Sequence, residues 1–311
     1  MAKLVDLLLI EPLPDAIEEQ LKQHFTLHRF TTVDALQPIA SEIRAVATGG
    51  SYGIAPDIMA ALPALEIVAV NGVGLDRVDL KEAKRRHIRV TVTTNISTGD
   101  VADTAMMLLL ALKRHLNQNE RYLRDGRWPK EGMPPLAHSL GSKKLGIAGF
   151  GRIGQAIARR ALASDMDVAY FNTHQRPESP LAFFPDINKL AQWADILVIS
   201  LAAGPSTANI VSQKTLEALG PQGVLINVAR GSIVDEKALI TALKEKKIAG
   251  AGLDVFQNEP DINPEFLTLA NTVLQPHQAS ATVETRLKMG QNVVDNLLAH
   301  FSGKELLTPA L

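Results

Sequence analysis

Along most of the chain, short apolar runs alternate with longer stretches whose apolar positions recur at helical spacing. The runs predict strands over 4–10, 25–30, 44–48, 66–70 and 88–92, with helices over 14–23 and 79–87. Together they make a small five-stranded, doubly wound unit. From Ser97 the text STGDVADTAMMLLLALKRHLNQNERYL supplies polar N-cap candidates and then a single helix of about seven turns, long enough to bridge two domains or two subunits. The segment DGRWPKEGMPPLAHSLGSK ends it. Six further strands follow, over 144–150, 166–172, 195–200, 223–228, 250–255 and 272–275, most of them separated by helical patterns. A last helix, from Thr282 to Phe301, has no further strand to lead to, so it is expected to return and pack on the first unit. Regular alternation of strand and helix argues for an α/β chain of two doubly wound parallel-sheet domains. The first is discontinuous, 1–98 with 284–311, and the second, 99–283, is inserted in it.

Composition narrows the classes. A chain of 311 residues suits two domains, each large enough for its own core. Hydrophobic residues are 46% and charged ones 21%, as in ordinary globular proteins, and the richest apolar run, Met106 to Leu112, falls well short of a membrane span. The start, MAKLVDLLLIEP, has one lysine, an acidic residue inside its apolar stretch and no small-residue cleavage site, so it reads as a first strand and a cytoplasmic location is expected. With no cysteine there is no disulfide, thiolate nucleophile or cysteine-based zinc site, which is compatible with a reducing compartment. A net charge of -1 provides no basic footprint, and neither nucleic acid nor a membrane is expected as a partner. His24 and His28 have the spacing of helix ligands but straddle a strand start, so they read as half-exposed residues and no metal is expected.

The most specific motif is Gly149-Phe150-Gly151-Arg152-Ile153-Gly154, placed between the apolar strand KLGIAGF and the helical pattern RIGQAIARRALA. In that context the first glycine permits a tight turn and the second lets the backbone approach a pyrophosphate. The third lets the helix pack close to the strand, with its N-terminus facing the anion. Six strands and this turn are the pattern of a Rossmann dinucleotide-binding domain, here set into a flavodoxin-like substrate domain. The next strand, MDVAYFN, bears on which dinucleotide. A site selecting NAD ends this strand with an acid that accepts from the ribose 2′-hydroxyl, and here Asn172 takes that place. Thr173, His174 and Arg176 follow, a neutral and basic loop suited to a 2′-phosphate. NADPH is the expected cofactor, with NADH as the lesser alternative.

Three segments at predicted strand ends hold candidate chemistry: INVARGSIVDEKAL, GLDVFQNEP and LQPHQASATVE. Singly, Arg230 reads as a surface cation, Glu259 as a turn residue before Pro260 and His277 as a core histidine. Jointly they supply what reduction of a keto acid requires. A guanidinium grips the carboxylate and polarises the keto oxygen, a histidine gives that oxygen its proton, and a carboxylate keeps the histidine protonated. Val228, Ala229, Arg230 and Asp254, in the same segments, are further candidate cofactor contacts.

Over nearly its whole length the chain resembles the D-isomer-specific 2-hydroxyacid dehydrogenases, most closely their glyoxylate and hydroxypyruvate reductase branch. The matching text includes VNGVGLDRVDL, VADTAMMLLLALKR, GIAGFGRIGQAIARR, GVLINVARGSIVDEKAL, AGLDVFQNEP, PHQASATVETR and HFSGKELLTPAL. The resemblance implies that Arg230 binds substrate, that Glu259 partners His277, and that His277 is the acid in reducing a small 2-keto acid to a D-2-hydroxy acid. It also implies that the amides of Val73 and Gly74 cradle the substrate carboxylate, where glycines leave the backbone bare. A homodimer joined through the second domain is implied too, with the long helix and the Trp128 segment as its arm. Two segments depart from the family pattern: SLAAGPSTANI lacks the usual proline-threonine pair, and Ser51 and Tyr52 stand in TGGSYG. Both bear on which acid is reduced, and another member activity, such as hydroxyphenylpyruvate reduction, stays open. Two other classes stand beside this reading. Gly49-Gly50-Ser51-Tyr52-Gly53 matches the GxSxG of hydrolases but has no HGGG-type oxyanion segment before it. A dinucleotide-sensing corepressor would share the fold and the whole triad.

Overall fold

The computed structural model describes residues 4–311, so Met1–Lys3 of the opening segment lie outside the described residues. The chain divides into two compact units, one of residues up to Ser97 with Ala281–Leu311, the other Thr98–Ser280. The hydrophobic pattern alone puts these breaks at 98/99 and 283/284.

In the first unit, strands β1 (Val5–Leu9), β2 (Phe25–Arg29), β3 (Ile43–Gly49), β4 (Ile67–Asn71) and β5 (Arg89–Thr91) form one parallel sheet in the order β2-β1-β3-β4-β5. This is the flavodoxin-like strand order. Helices α1 (Asp15–His24), α2 (Val33–Leu36), α3 (Pro56–Ala61) and α4 (Leu80–Arg85) connect the strands, and α2 and α3 go beyond the helices expected from the sequence pattern. Every residue of β4 is buried, which is why its text is a continuous apolar run and not an alternating one. The C-terminal helix, Val283–Phe301, packs on this unit through Val293, Val294 and Leu297, which join Leu7, Leu9, Ile17, Leu21 and Ala69 in one cluster. Its Asn296, fully buried, accepts from the Leu307 and Thr308 amides at 3.0 and 3.2 Å and so folds the tail back.

In the second unit, the stretch expected as one long helix is two. Helix α5 (Thr98–Lys113) ends where His115 takes a left-handed conformation, φ 54°, and α6 (Leu116–Arg124) begins beyond it. The His138 amide donates to the Lys113 carbonyl at 3.0 Å, a bond that satisfies one of the carbonyls left over at the helix end. Burial separates the two pieces as well: Ala102, Ala105, Leu108 and Leu109 of α5 are in the core, and α6 has no buried residue. Helix α7 (Trp128–Glu131) lies in the segment that ends this pattern.

Then come β6 (Lys144–Ala148), α8 (Arg152–Leu162), β7 (Asp167–Phe171), β8 (Ala182–Phe184), α9 (Ile187–Trp193), β9 (Ile196–Ile199), α10 (Gln213–Leu219), β10 (Val224–Asn227), α11 (Glu236–Lys244), β11 (Gly250–Leu253) and β12 (Thr272–Leu274). The parallel sheet runs β12-β11-β10-β9-β6-β7-β8, seven strands where the pattern gave six. The extra one, β8, is three residues long and sits between Pro180 and Pro185, too short to show a period. Successive strands go one way from β6 to β7 and the other way from β9, so the switch point of this sheet lies between β6 and β9.

Candidate active site

The glycine turn leaves β6 at that switch point. Gly149 has φ 102°, and a Cβ there would meet the Leu201 amide nitrogen at 2.6 Å, so only glycine lets β6 turn beside the end of β9. A Cβ on Gly154 would sit 2.1 Å from the Gly149 carbonyl oxygen, which makes the close seating of α8 on the turn depend on a bare Cα. Gly151 differs: it is the N-cap of α8, and a Cβ there would face open space. Arg152 beside it is exposed and Ile153 half-buried. The open approach to Gly151, at the first amides of an eleven-residue helix, fits a dinucleotide pyrophosphate.

At the end of β7 the Asn172 side chain donates to the His174 carbonyl at 3.3 Å, and Thr173, His174 and Arg176 are exposed. No carboxylate pairs with the Arg176 guanidinium among the described residues. The end of β10 is held from within: Val228 and Ala229 are buried, the Ala229 amide donates to Asn227 Oδ1 at 3.0 Å, and Asn227 Nδ2 donates to the Arg230 carbonyl at 3.0 Å. Arg230 is half-buried and its Nη1 donates to the Ala229 carbonyl at 2.7 Å. A Cβ on Gly231 would lie 2.0 Å from the Phe256 carbonyl carbon. That bare position lets the Arg230 segment pass directly against the segment holding Glu259.

Glu259 and His277 meet. His277 Nδ1 lies 2.7 Å from Glu259 Oε2, and Glu259 Oε1 accepts from the Phe256 amide at 2.7 Å. Burial pushes the Glu259 carboxyl upward, but the hydrogen bond with His277, the Phe256 amide and the charges of His277 and Arg230 outweigh it and hold the group below the ordinary carboxylate value. With Nδ1 engaged by Glu259, Nε2 is the His277 nitrogen that can serve another group.

Asp254 emerges with a role the sequence did not signal. Its carboxylate accepts from the Gln278 amide at 2.8 Å and the Ala279 amide at 3.1 Å, and its carbonyl accepts from the His277 amide at 2.8 Å. It is 1% exposed, and desolvation pushes its pKa upward. Asp254 thus fixes the backbone on which His277, at φ 54°, is mounted.

In the first unit, Gly49–Gly53 and Gly72–Gly74 form two adjoining turns: a Cβ on Gly72 would lie 3.0 Å from the Gly50 Cα. Val73 is 48% exposed at their surface. Asn71 Oδ1 and Thr93 Oγ1, next to these turns, are buried and have no hydrogen-bond partner among the described residues, while the Thr93 amide donates to the Gly72 carbonyl at 2.9 Å. Ser51 and Tyr52 are exposed, and among the described residues no histidine hydrogen-bonds Ser51, so the hydrolase motif lacks its base. His28 pairs with Asp6 across β1 and β2 at 2.7 Å, apart from His24 at the end of α1.

The model of the D-isomer specific 2-hydroxyacid dehydrogenase NAD binding domain matches residues 106–279. A 2-ketogluconate reductase of Gluconobacter oxydans is 54% identical over 311 residues, the whole of each chain. A glyoxylate/hydroxypyruvate reductase A of Arabidopsis thaliana is 43% identical over 99% of each. Among solved structures, the NADPH-dependent glyoxylate/hydroxypyruvate reductase of Sinorhizobium meliloti, in complex with NADP and malonate, superposes with a TM-score of 0.92 at 43% identity, covering 98% of this chain and 96% of that one. The chain belongs to the D-isomer specific 2-hydroxyacid dehydrogenase family. It is an NAD(P)-dependent oxidoreductase that interconverts 2-keto acids and 2-hydroxy acids, which sets aside the hydrolase reading.

Proposed function

We propose that the chain reduces small 2-keto acids, hydroxypyruvate and glyoxylate among them, with NADPH as the preferred cofactor. The observation that carries this reading is the 2.7 Å contact of His277 with Glu259, on a loop pinned by Asp254 at the carboxyl end of a strand in the same parallel sheet whose β6 leads into the glycine turn. Gly149, Gly151, Arg152, Ile153 and Gly154 would hold the pyrophosphate, Val228, Ala229, Arg230 and Asp254 would border the nicotinamide end, and the bound dinucleotide supplies the hydride. His277 delivers a proton from Nε2 to the keto oxygen, and Glu259 stabilises the imidazolium before transfer. Arg230 offers a planar fork to the carboxylate and keto oxygens. In the first unit, the amides of Val73 and Gly74 are assigned to hold a carboxylate.

Preference for the 2′-phosphate is supported by the Asn172–Arg176 loop, which presents an amide, a hydroxyl and an unpaired guanidinium and no acid. The Sinorhizobium meliloti protein, NADPH-dependent by its description, points the same way. A homodimer is supported by Leu116, Leu123, Trp128, Met133 and Leu136, all more than half exposed along α6 and the segment after it.

A second substrate reading is favoured by the 54% identity to a 2-ketogluconate reductase: a longer, polyhydroxylated 2-keto acid. Steady-state kcat/KM for glyoxylate, hydroxypyruvate and 2-ketogluconate, each with NADPH, decides between them. The first reading expects the highest value for hydroxypyruvate or glyoxylate. A highest value for 2-ketogluconate selects the second, and no turnover of any of the three overturns both.

A further inference from the structure

We infer that Tyr170 is a positioning residue for the 2′-phosphate end of the cofactor, its hydroxyl fixing the backbone from which Arg176 extends. The inference rests on the assignment of the Asn172–Arg176 loop to that phosphate. Tyr170 is the penultimate residue of β7 and is 0% exposed. A phenol at such depth needs a partner for its hydroxyl, and both of its contacts are to one residue. The Arg176 amide donates to the hydroxyl oxygen at 2.8 Å, and the hydroxyl donates to the Arg176 carbonyl at 3.4 Å. That carbonyl also accepts from the Ser179 amide at 3.0 Å, closing a turn over Pro177 and Glu178. Across 172–176 the one other side-chain hydrogen bond among the described residues is Asn172 to His174, so an otherwise exposed loop is tied to the core at Arg176 through this phenol.

The ring connects the loop to the pyrophosphate turn. Tyr170 stacks on Phe150, the residue between Gly149 and Gly151, with centroids 4.1 Å apart and planes at 21°, and it meets Phe183 of β8 at 5.4 Å. A phenylalanine would fill the same apolar space, because the core requires only the ring. What the hydroxyl adds is delivered at Arg176. A loop held in place before binding spends less of its interaction with the ligand on being ordered. The gain falls on dinucleotides that bear the phosphate, since a bare ribose offers Arg176 no anion to meet.

The test uses the protein without cofactor and reads binding by calorimetry, with 2′-phospho-ADP-ribose and ADP-ribose as probes. Tyr170→Phe should weaken the phosphorylated probe about threefold to tenfold and leave ADP-ribose within about twofold, as expected for losing one buried hydrogen-bonding group that acts on the loop alone. Equal losses for both probes would mean that the hydroxyl only stabilises the fold, and would overturn the inference. Arg176→Ala separates the two levels. If it abolishes the preference while Tyr170→Phe binds like the parent, the Tyr170 role alone fails. If the unmodified protein binds both probes equally, the cofactor assignment fails and the Tyr170 role with it. Amide hydrogen exchange on the unmodified protein needs no variant to fold: the Arg176 amide should exchange more slowly than those of Gln175 and Glu178, and more slowly again with 2′-phospho-ADP-ribose but not with ADP-ribose. Exchange as fast as its neighbours would refute the anchor.

Discussion

Glu259 holds His277 with one carboxylate oxygen and the backbone with the other: Oε2 lies 2.7 Å from His277 Nδ1, and Oε1 accepts from the Phe256 amide at 2.7 Å. The carboxylate is therefore oriented before any substrate arrives, and its reach matters as much as its charge. Glu259→Asp keeps the charge but is one methylene too short to span both contacts. Its kcat/KM for hydroxypyruvate should fall about tenfold to a hundredfold, the range for a catalytic group displaced by about an ångström. Near-parental turnover would show that charge alone suffices.

Cofactor choice tests the loop after β7. Asn172→Asp places a negative charge beside the proposed 2′-phosphate and should erode the preference for NADPH, while Arg176→Ala should raise the KM for NADPH more than that for NADH. Equal kcat/KM for the two cofactors in the unmodified enzyme would contradict the assignment.

Arg230→Lys keeps a cation at the end of β10 but removes the planar fork. A loss of kcat/KM of about two orders of magnitude is expected, as for removing one oriented donor from a developing oxyanion. A variant with near-normal turnover would return Arg230 to the role of a surface cation.

Gly231→Ala probes the close passage that brings Arg230 beside the Glu259 segment. Its Cβ would fall 2.0 Å from the backbone carbon of Phe256, so the segment must move. A destabilisation of about 1–3 kcal/mol is expected from such overpacking, with a loss of kcat/KM larger than that in substrate-independent NADPH binding. Thermal unfolding and fluorescence titration of the cofactor check the two parts, and an unchanged melting temperature would show that the passage is not tight.

The parts legible in the sequence were those written as contiguous text at a strand end. The glycine turn could be read because strand, turn and helix adjoin, Arg230 and Glu259 because each follows a fully buried strand, and His277 because it follows the short apolar strand β12. What could not be read depends on contacts between distant positions or on single backbone angles. Nothing near Asp254 announces that its carboxylate binds amides 24 and 25 residues later. The break after α5 is one left-handed residue, His115, inside text whose apolar spacing continues past it. Strand β8 is defined by pairing with β7, with Phe183 opposite Tyr170, and three residues carry no period of their own.

The central claim is that Glu259 and His277 act as one acid-base pair, and the pH dependence of hydroxypyruvate reduction tests it most directly. Reduction needs the protonated imidazole, so kcat/KM should fall on the alkaline side. Glu259 is held below its ordinary value of 4.5, so it stays ionised throughout the neutral range and favours the imidazolium beside it. In Glu259→Gln that support is gone, and the alkaline limb should move to lower pH, while in His277→Ala the limb should vanish with most of the rate. A Glu259→Gln profile that overlays the parent, or moves to higher pH, would contradict the account.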